Sequence, residues 1–250
     1  MTMTARRVLE PALWFAGLLL VWEVLVRVLE IEPFILAAPS DFLPRIVQEY
    51  QRFLLHGAIT TKLIIYGFVA GAIPGILLGY GIARSRLLEQ SIYPQIVFIQ
   101  GMPKITLAPL MLVWFGYATF PKVLLTALIT FFPILVDSVA GFRSVDRRHY
   151  HLSRSMGASW WQTFRMIELP SAAPAIFSGF KITIVVAVTV VIVVEWLNSK
   201  NGLGYIVLRA MDNADTSLIF ATLVVGSAIG VFLNYAIVVI ERLLLPWRRR

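Results

Sequence analysis

The sequence predicts an all-α membrane protein with six transmembrane helices. Of its 250 residues, 58% are hydrophobic and 14% are charged, where soluble domains carry roughly 45–50% and about 25%. The mean hydropathy is +0.79, and the apolar residues fall in long blocks separated by short polar, glycine- or proline-marked breaks. A helix crosses a hydrocarbon core of about 30 Å with about 20 mainly apolar residues. Six blocks reach that length, at about 11–29, 60–83, 92–114, 121–142, 174–197 and 218–245. They leave no room for a sizeable soluble domain, so the chain reads as one transmembrane domain over 1–250, interrupted by a polar loop at about 143–173.

The charge pattern gives the orientation. The net charge is +8, and the basic residues gather at alternate ends of the blocks: Arg6 and Arg7; Arg84 and Arg86; Arg143, Arg147, Arg148, Arg154 and Arg165; and Arg248, Arg249 and Arg250. The opposite connections carry Glu30, Glu32, Asp41, Glu49, Asp212 and Asp215. This is the positive-inside pattern. It places both termini in the cytoplasm, which requires an even number of spans, and it accounts for a pI near 10 without a nucleic-acid partner. The absence of cysteine excludes disulfides, thiolate metal sites and cysteine nucleophiles, and no other metal-ligand set stands out. The first block follows Arg6-Arg7 but is too long for a signal peptide and lacks a small-x-small cleavage site, so it is expected to stay as the first span.

Between the first two blocks, Ser40 is the expected N-cap of an external amphipathic helix with Phe42, Ile46, Val47 and Tyr50 on one face. The second block carries Gly67, Gly71, Gly75 and Gly79, four apart each time, on one helix face. Such a stripe lets a neighbouring helix approach closely, either inside one subunit or at a dimer interface. Pro74 beside it predicts a kink. In the third block, Gln100-Gly101-Met102-Pro103-Lys104 interrupts an apolar run. Polar groups and irregular backbone at membrane depth belong in protein or on a cavity, so Gln100, Met102 and Lys104 are candidate translocation-pathway residues. The alternative is that Lys104 snorkels and Pro103 only kinks the helix. Trp114-Phe115-Gly116-Tyr117 closes the block as an aromatic anchor.

The polar loop has its own helix signals. Ser159 and Gln162 have capping-box spacing, so a helix should start near Trp160, and Pro170 should stop it. That helix would show Trp160, Trp161, Phe164, Met166 and Ile167 with Gln162 and Arg165 among them. Aromatics and arginine are the usual anchors of protein interfaces, so the loop reads as a docking element or as a segment folded back on its own membrane domain. In the fifth block Glu195 is a carboxylate at depth and a functional candidate by default, either in the pathway or paired and capping the segment 198–204. The sixth block carries the small pair Gly226 and Gly230.

The stretch Gly157-Ala158-Ser159-Trp160-Trp161-Gln162, continuing through Phe164 and Arg165 to Ile167-Glu168-Leu169-Pro170, has the spacing of the EAA loop of ABC-importer permeases. Trp22-Glu23, Gly71 to Gly79, Met102-Pro103-Lys104 with Ala108-Pro109-Leu110, Trp114-Phe115-Gly116, Phe131-Phe132-Pro133, and Glu195 with Gly202-Leu203-Gly204 stand around it in matching order. The chain thus resembles, over nearly its whole length, the permeases of bacterial ABC importers of the nitrate/sulfonate/taurine class. It departs where the family loop opens Glu-Ala-Ala, which here is His151, Leu152 and Ser153, and in its external Ala37-Ala38-Pro39-Ser40.

The resemblance implies the fold of a type I importer permease: a five-helix core plus an N-terminal helix, with a cytoplasmic coupling helix, in the bacterial inner membrane. It implies a homodimer with a second permease subunit, an ABC ATPase dimer on the coupling loops, and an extracytoplasmic solute-binding protein. ATP and magnesium would be bound by the ATPase subunits. This chain has no G-x-x-x-x-G-K-[ST] motif and is expected to bind no cofactor and to be no enzyme. Substrates implied by the class are sulfonate- or nitrate-type anions or pyrimidine and vitamin precursors, with the 195–205 tail nearer the latter. The alternatives are a stand-alone ion-coupled secondary transporter using Glu195, which lacks an inverted repeat of broken helices, and an intramembrane protease. His56, His149 and His151 fall at loops or span ends, against the protease.

Overall fold

The computed structural model describes residues 2–249; the side chains of Arg6, Arg7, Arg147 and of 248–250, part of the charge argument, lie outside the described ones. Among the described residues every regular element is helical: α1 (Thr2–Val28), α2 (Pro39–Gln48), α3 (Tyr50–Arg84), α4 (Arg86–Gln100), a 3-10 turn at Lys104–Leu107 leading into α5 (Ala108–Phe115), α6 (Thr119–Arg143), α7 (Arg147–Ser155), α8 (Trp160–Thr163), a π-turn at Phe164–Glu168, α9 (Leu169–Asn198), α10 (Leu203–Asp212), α11 (Thr216–Leu244) and a final 3-10 turn at Pro246–Arg249.

Four helical runs are long and apolar enough to cross a membrane: α3, α6, the run Trp160–Leu197 and α11. A fifth crossing results if Arg86–Gln100 and Lys104–Phe115, bent by 80°, count as one. The expected third span is therefore a broken pair. Gly101 and Pro103 end α4, and Pro103 lacks the N–H a continuing helix would need. The expected first span falls in α1, which is not among these runs; its apolar side chains from Leu13 to Val28 are largely exposed. It meets the rest through Trp22, whose ring lies 5.6 Å from Phe42 and 5.1 Å from Phe220.

The glycine stripe packs inside the chain. A Cβ at Gly67 would lie 2.4 Å from Thr126 Cβ, one at Gly71 2.2 Å from Thr130 Oγ1, and one at Gly79 2.6 Å from Ser138 Cβ. The stripe is thus occupied by α6, and Thr126, Thr130 and Ser138 there are fully buried. Their hydroxyls are satisfied by backbone carbonyls, Thr126 by Lys122 at 2.8 Å and Ser138 by Ile134 at 2.6 Å. Pro74 lies within α3, which is continuous from Tyr50 to Arg84.

Two sequence expectations are corrected. Ser40 is not the N-cap of α2. Pro39 already occupies the first helical position, where a missing N–H is harmless, and the cap is Ala38, whose N–H donates to Asp41 Oδ2 at 3.2 Å. Ser40 instead joins α2 to α1, its hydroxyl donating to Glu23 at 2.7 Å. Pro170 does not stop the loop helix. The Leu169 N–H reaches Phe164 O, five residues back, and the helix runs on into α9. Widening the turn gives room for the proline ring, and π-turns of this kind recur at functional sites.

Candidate functional site

The end of the bundle formed by α7, α8 and the π-turn is built by local chemistry. Asp146 caps α7 by accepting from Arg148 N–H at 2.9 Å. α7 ends in a Schellman motif, with Gly157 N–H donating to Arg154 O at 3.0 Å and Ala158 N–H to Ser153 O at 2.9 Å. The motif needs a left-handed residue, and Gly157 supplies it at φ +71. Ser159 and Gln162 then form the capping box the sequence predicts. Ser159 N–H donates to Gln162 Oε1 at 2.7 Å, and Gln162 N–H to Ser159 Oγ at 3.3 Å.

The tryptophans work on two sides. Trp160 and Trp161 lie 5.9 and 5.6 Å from Phe164, which packs on Tyr80 at 5.1 Å, and Tyr80 packs on Phe142. Trp160 Nε1–H also donates to Tyr80 Oη at 3.1 Å. The loop is therefore seated on α3 and α6, yet Trp160 and Trp161 remain 58% and 55% exposed. Beside them Leu152, Ser153, Met156, Gly157, Thr163 and Met166 line a groove of about 480 Å³. The exposed apolar surface of Leu152, Met156, Trp160, Trp161 and Met166 is a patch of the kind that marks an interaction site.

Glu168, 1% exposed, lies under this loop and pairs with Arg84 at 3.3 Å. Arg84 also lies 5.4 Å from the centre of the Tyr150 ring. Burial pushes the Tyr150 phenol up, Glu168 acts in the same direction and Arg84 against it. Of the three positions that depart from Glu-Ala-Ala, Ser153 is buried and bonds Tyr150 O at 3.1 Å, while His151 and Leu152 face outward. Arg165 is exposed and Ile167 half-buried.

At the opposite end Glu195 is fully buried. Thr60 Oγ1 donates to it at 2.8 Å, Gly204 N–H donates to it at 3.0 Å, and Thr60 Oγ1 in turn accepts from Leu203 N–H at 2.8 Å. The carboxylate thus ties α3 and α9 to the start of α10. A Cβ at Gly202 would lie 2.2 Å from Glu195 Cδ, and Gly202 has φ +102. Gln100 and Met102 are exposed at the α4 break; Lys104 donates to Gln100 O at 2.9 Å and lies 4.8 Å from the centre of the Phe132 ring. Among the described residues no hydrogen bond or ion pair joins Glu195 to Gln100 or Lys104.

Residues 75–250 match the family model for the binding-protein-dependent transport system inner membrane component. The chain belongs to this family. It is 35% identical, over 97% of both chains, to a formylaminopyrimidine transport permease of Halalkalibacterium halodurans. It is also 35% identical to a riboflavin transport system permease of Chloroflexus aurantiacus, covering 92% of this chain and 87% of the relative. A taurine transport system permease of Escherichia coli is 28% identical over 93% and 87%. The fold matches a solved amino acid ABC transporter chain with a TM-score of 0.61 at 18% identity, over 84% of this chain and 98% of that one. It matches a methionine ABC transporter chain with a TM-score of 0.55 at 19% identity, over 78% and 97%. The chain is a multi-pass ABC importer permease of type I and a transport subunit rather than an enzyme. Membership displaces the stand-alone secondary transporter.

Sequence reasoning passed over other charges in the permease's spans. Lys122 is 7% exposed and donates to Ser199 Oγ at 2.9 Å. Lys181 donates to Glu241 at 2.9 Å and ties α9 to α11. Asp137 lies against Gly179. The cost of burying a charge in a membrane, which singled out Glu195, applies equally to these positions.

Proposed function

We propose that this permease lines the translocation pathway of an ATP-driven importer, as one of two identical subunits. An extracytoplasmic binding protein hands it a small solute, and separate ATPase subunits holding ATP and magnesium dock on the 157–170 loop. Both termini face the cytoplasm. The chain acts as a single domain that itself binds no cofactor. The observation that carries this reading is the continuity of the docking element with a span: the run from Trp160 to Leu197 is helical throughout. A push on Trp160, Trp161 and the neighbouring groove is passed along one continuous helical run into the membrane. The aromatic stack on Tyr80 and Phe142 and the Glu168–Arg84 pair tie the same push to α3 and α6.

Gln100, Met102 and Lys104, at irregular backbone in the α4–α5 break, are the pathway residues this reading retains. Glu195, enclosed by Thr60, Leu203 and Gly204, supports the helices instead. The solute class best supported is a pyrimidine or vitamin precursor, since relatives named for formylaminopyrimidine and riboflavin transport are each 35% identical to the chain. The test is co-purification of the tagged chain from detergent-solubilised membranes, followed by uptake of labelled formylaminopyrimidine in cells. Recovery of a P-loop ATPase and substrate-dependent uptake support the reading. A chain that purifies alone, with uptake equal to that of a deletion strain, overturns it.

A further inference from the structure

At the end of the bundle away from the loop, Lys62, Lys122 and Lys200 converge on one cavity of about 430 Å³, with Tyr66, Tyr117 and Ser199 in its wall. The chain has five lysines, so three of them meet here. Lys122 is 7% exposed and is held by a hydrogen bond to Ser199 Oγ at 2.9 Å. Ser199 is itself fixed by bonds to Asn201. Among the described residues the carboxylate acting on Lys122 is Glu195, which is already engaged with Thr60 and Gly204. Among the described residues neither Lys62 nor Lys200 has an acidic partner within ion-pair distance. The 25-residue helix α6 also begins at this cavity, with Thr119 in the wall, and its N-cap Ala118 offers no side-chain acceptor to the first amides.

Like charges gathered at one cavity repel one another, and the buried Lys122 also loses hydration. A ligand that brings negative charge relieves both costs, and a helix N-terminus adds donors and a favourable dipole. Lysine suits a phosphate as a compact point charge with three donors, and the tyrosine hydroxyls can donate to its remaining oxygens.

We propose that this cavity binds a phosphate-type oxyanion, either a free anion or the phosphate of an anionic lipid headgroup. Lys122 forms its floor and Lys62 and Lys200 its rim. The site is separate from the 157–170 loop and from the α4 break, and its occupancy is measurable without transport.

The test uses the full chain purified in an uncharged, phosphate-free detergent, with thermal unfolding as the readout. Inorganic phosphate is titrated in one arm and phosphatidylglycerol in mixed micelles in the other, each against chloride at matched ionic strength. A saturable rise in the unfolding midpoint is expected in at least one arm. Phosphate alone identifies a free anion, and phosphatidylglycerol alone identifies a lipid. In K62Q/K200Q, two exposed positions whose replacement leaves the buried Lys122–Ser199 contact intact, the apparent affinity in the same arm should fall at least tenfold. No rise in either arm, a rise that chloride reproduces, or one unchanged in the double variant overturns the proposal.

Discussion

Arg84, the last residue of α3, holds Glu168, the residue immediately before α9, in an ion pair of 3.3 Å with the carboxylate 1% exposed. Removing one member of a buried pair leaves the other charge uncompensated, at about 3–5 kcal/mol. Arg84→Ala strands the buried carboxylate and should destabilise the permease by about 2 kcal/mol or more. Glu168→Gln should cost less, because the charge it strands is Arg84, 42% exposed and open to water. Thermal unfolding of the two purified variants checks the order. Glu168→Gln falling further than Arg84→Ala would show that the carboxylate is not held by Arg84.

Gly157 makes a different kind of demand. A Cβ placed there meets nothing within 4 Å, so space is not the issue, but φ is +71. A left-handed residue with a side chain costs roughly 1–2 kcal/mol. Gly157→Leu should therefore leave the protein in the membrane while loosening the turn between α7 and α8. ATP hydrolysis should continue with uptake reduced at least tenfold. Gly157→Asn, which tolerates this conformation, should keep most of the coupling. Normal substrate-stimulated hydrolysis with normal uptake in Gly157→Leu would count against the loop as the coupling element.

The helical architecture and the loop were legible in the sequence because their signals are local. Ser159 and Gln162 lie three residues apart, and the capping box they predict is present. The break at 101–103 follows from Gly101 and Pro103 alone. What was not legible depended on residues distant in the chain. Four glycines in register could face a neighbour in the same subunit or a second copy, and only the placement of Thr126, Thr130 and Ser138 decides for the same subunit. Glu195 could equally face a cavity or bond another helix, and its bond from Thr60, 135 positions away, had no local signal. Pro170 reads as a stop because its effect on an ideal helix is local, but a π-turn absorbed it.

The α3–α6 contact predicts that the stripe tolerates a methyl less well than Gly57, which lies outside it on α3 and faces α11. At Gly71 a Cβ would meet Thr130 Oγ1 at 2.2 Å and the Ala127 carbonyl at 2.5 Å, and backbone cannot rotate away. At Gly57 the nearest atom is the end of the Ile229 side chain at 3.4 Å. Gly71→Ala should cost at least about 2 kcal/mol through overpacking, while Gly57→Ala should be neutral or slightly stabilising, since alanine favours the helix by roughly 0.5–1 kcal/mol. The unfolding midpoints of the two variants measure this. Equal midpoints would mean that the helices separate at little cost.

The Thr60–Glu195 lock makes the last prediction and separates support from transport. Thr60→Val keeps the shape of the side chain but removes the hydroxyl that donates to Glu195 at 2.8 Å and accepts from Leu203 N–H at 2.8 Å. Both groups are fully buried, so the N–H loses its acceptor on Thr60 and the carboxylate loses a donor. An unsatisfied buried group costs about 1–3 kcal/mol. Glu195→Gln retains an acceptor for Gly204 N–H, so it should be the milder change. If the carboxylate is support only, uptake per folded permease should be within about twofold of wild type in Glu195→Gln, since a factor of two is well under 1.4 kcal/mol. Thr60→Val should lower the amount of folded protein while leaving the turnover of the remainder intact. A tenfold loss of uptake in well-folded Glu195→Gln would return the carboxylate to the pathway, with Lys122 as the charge it acts on.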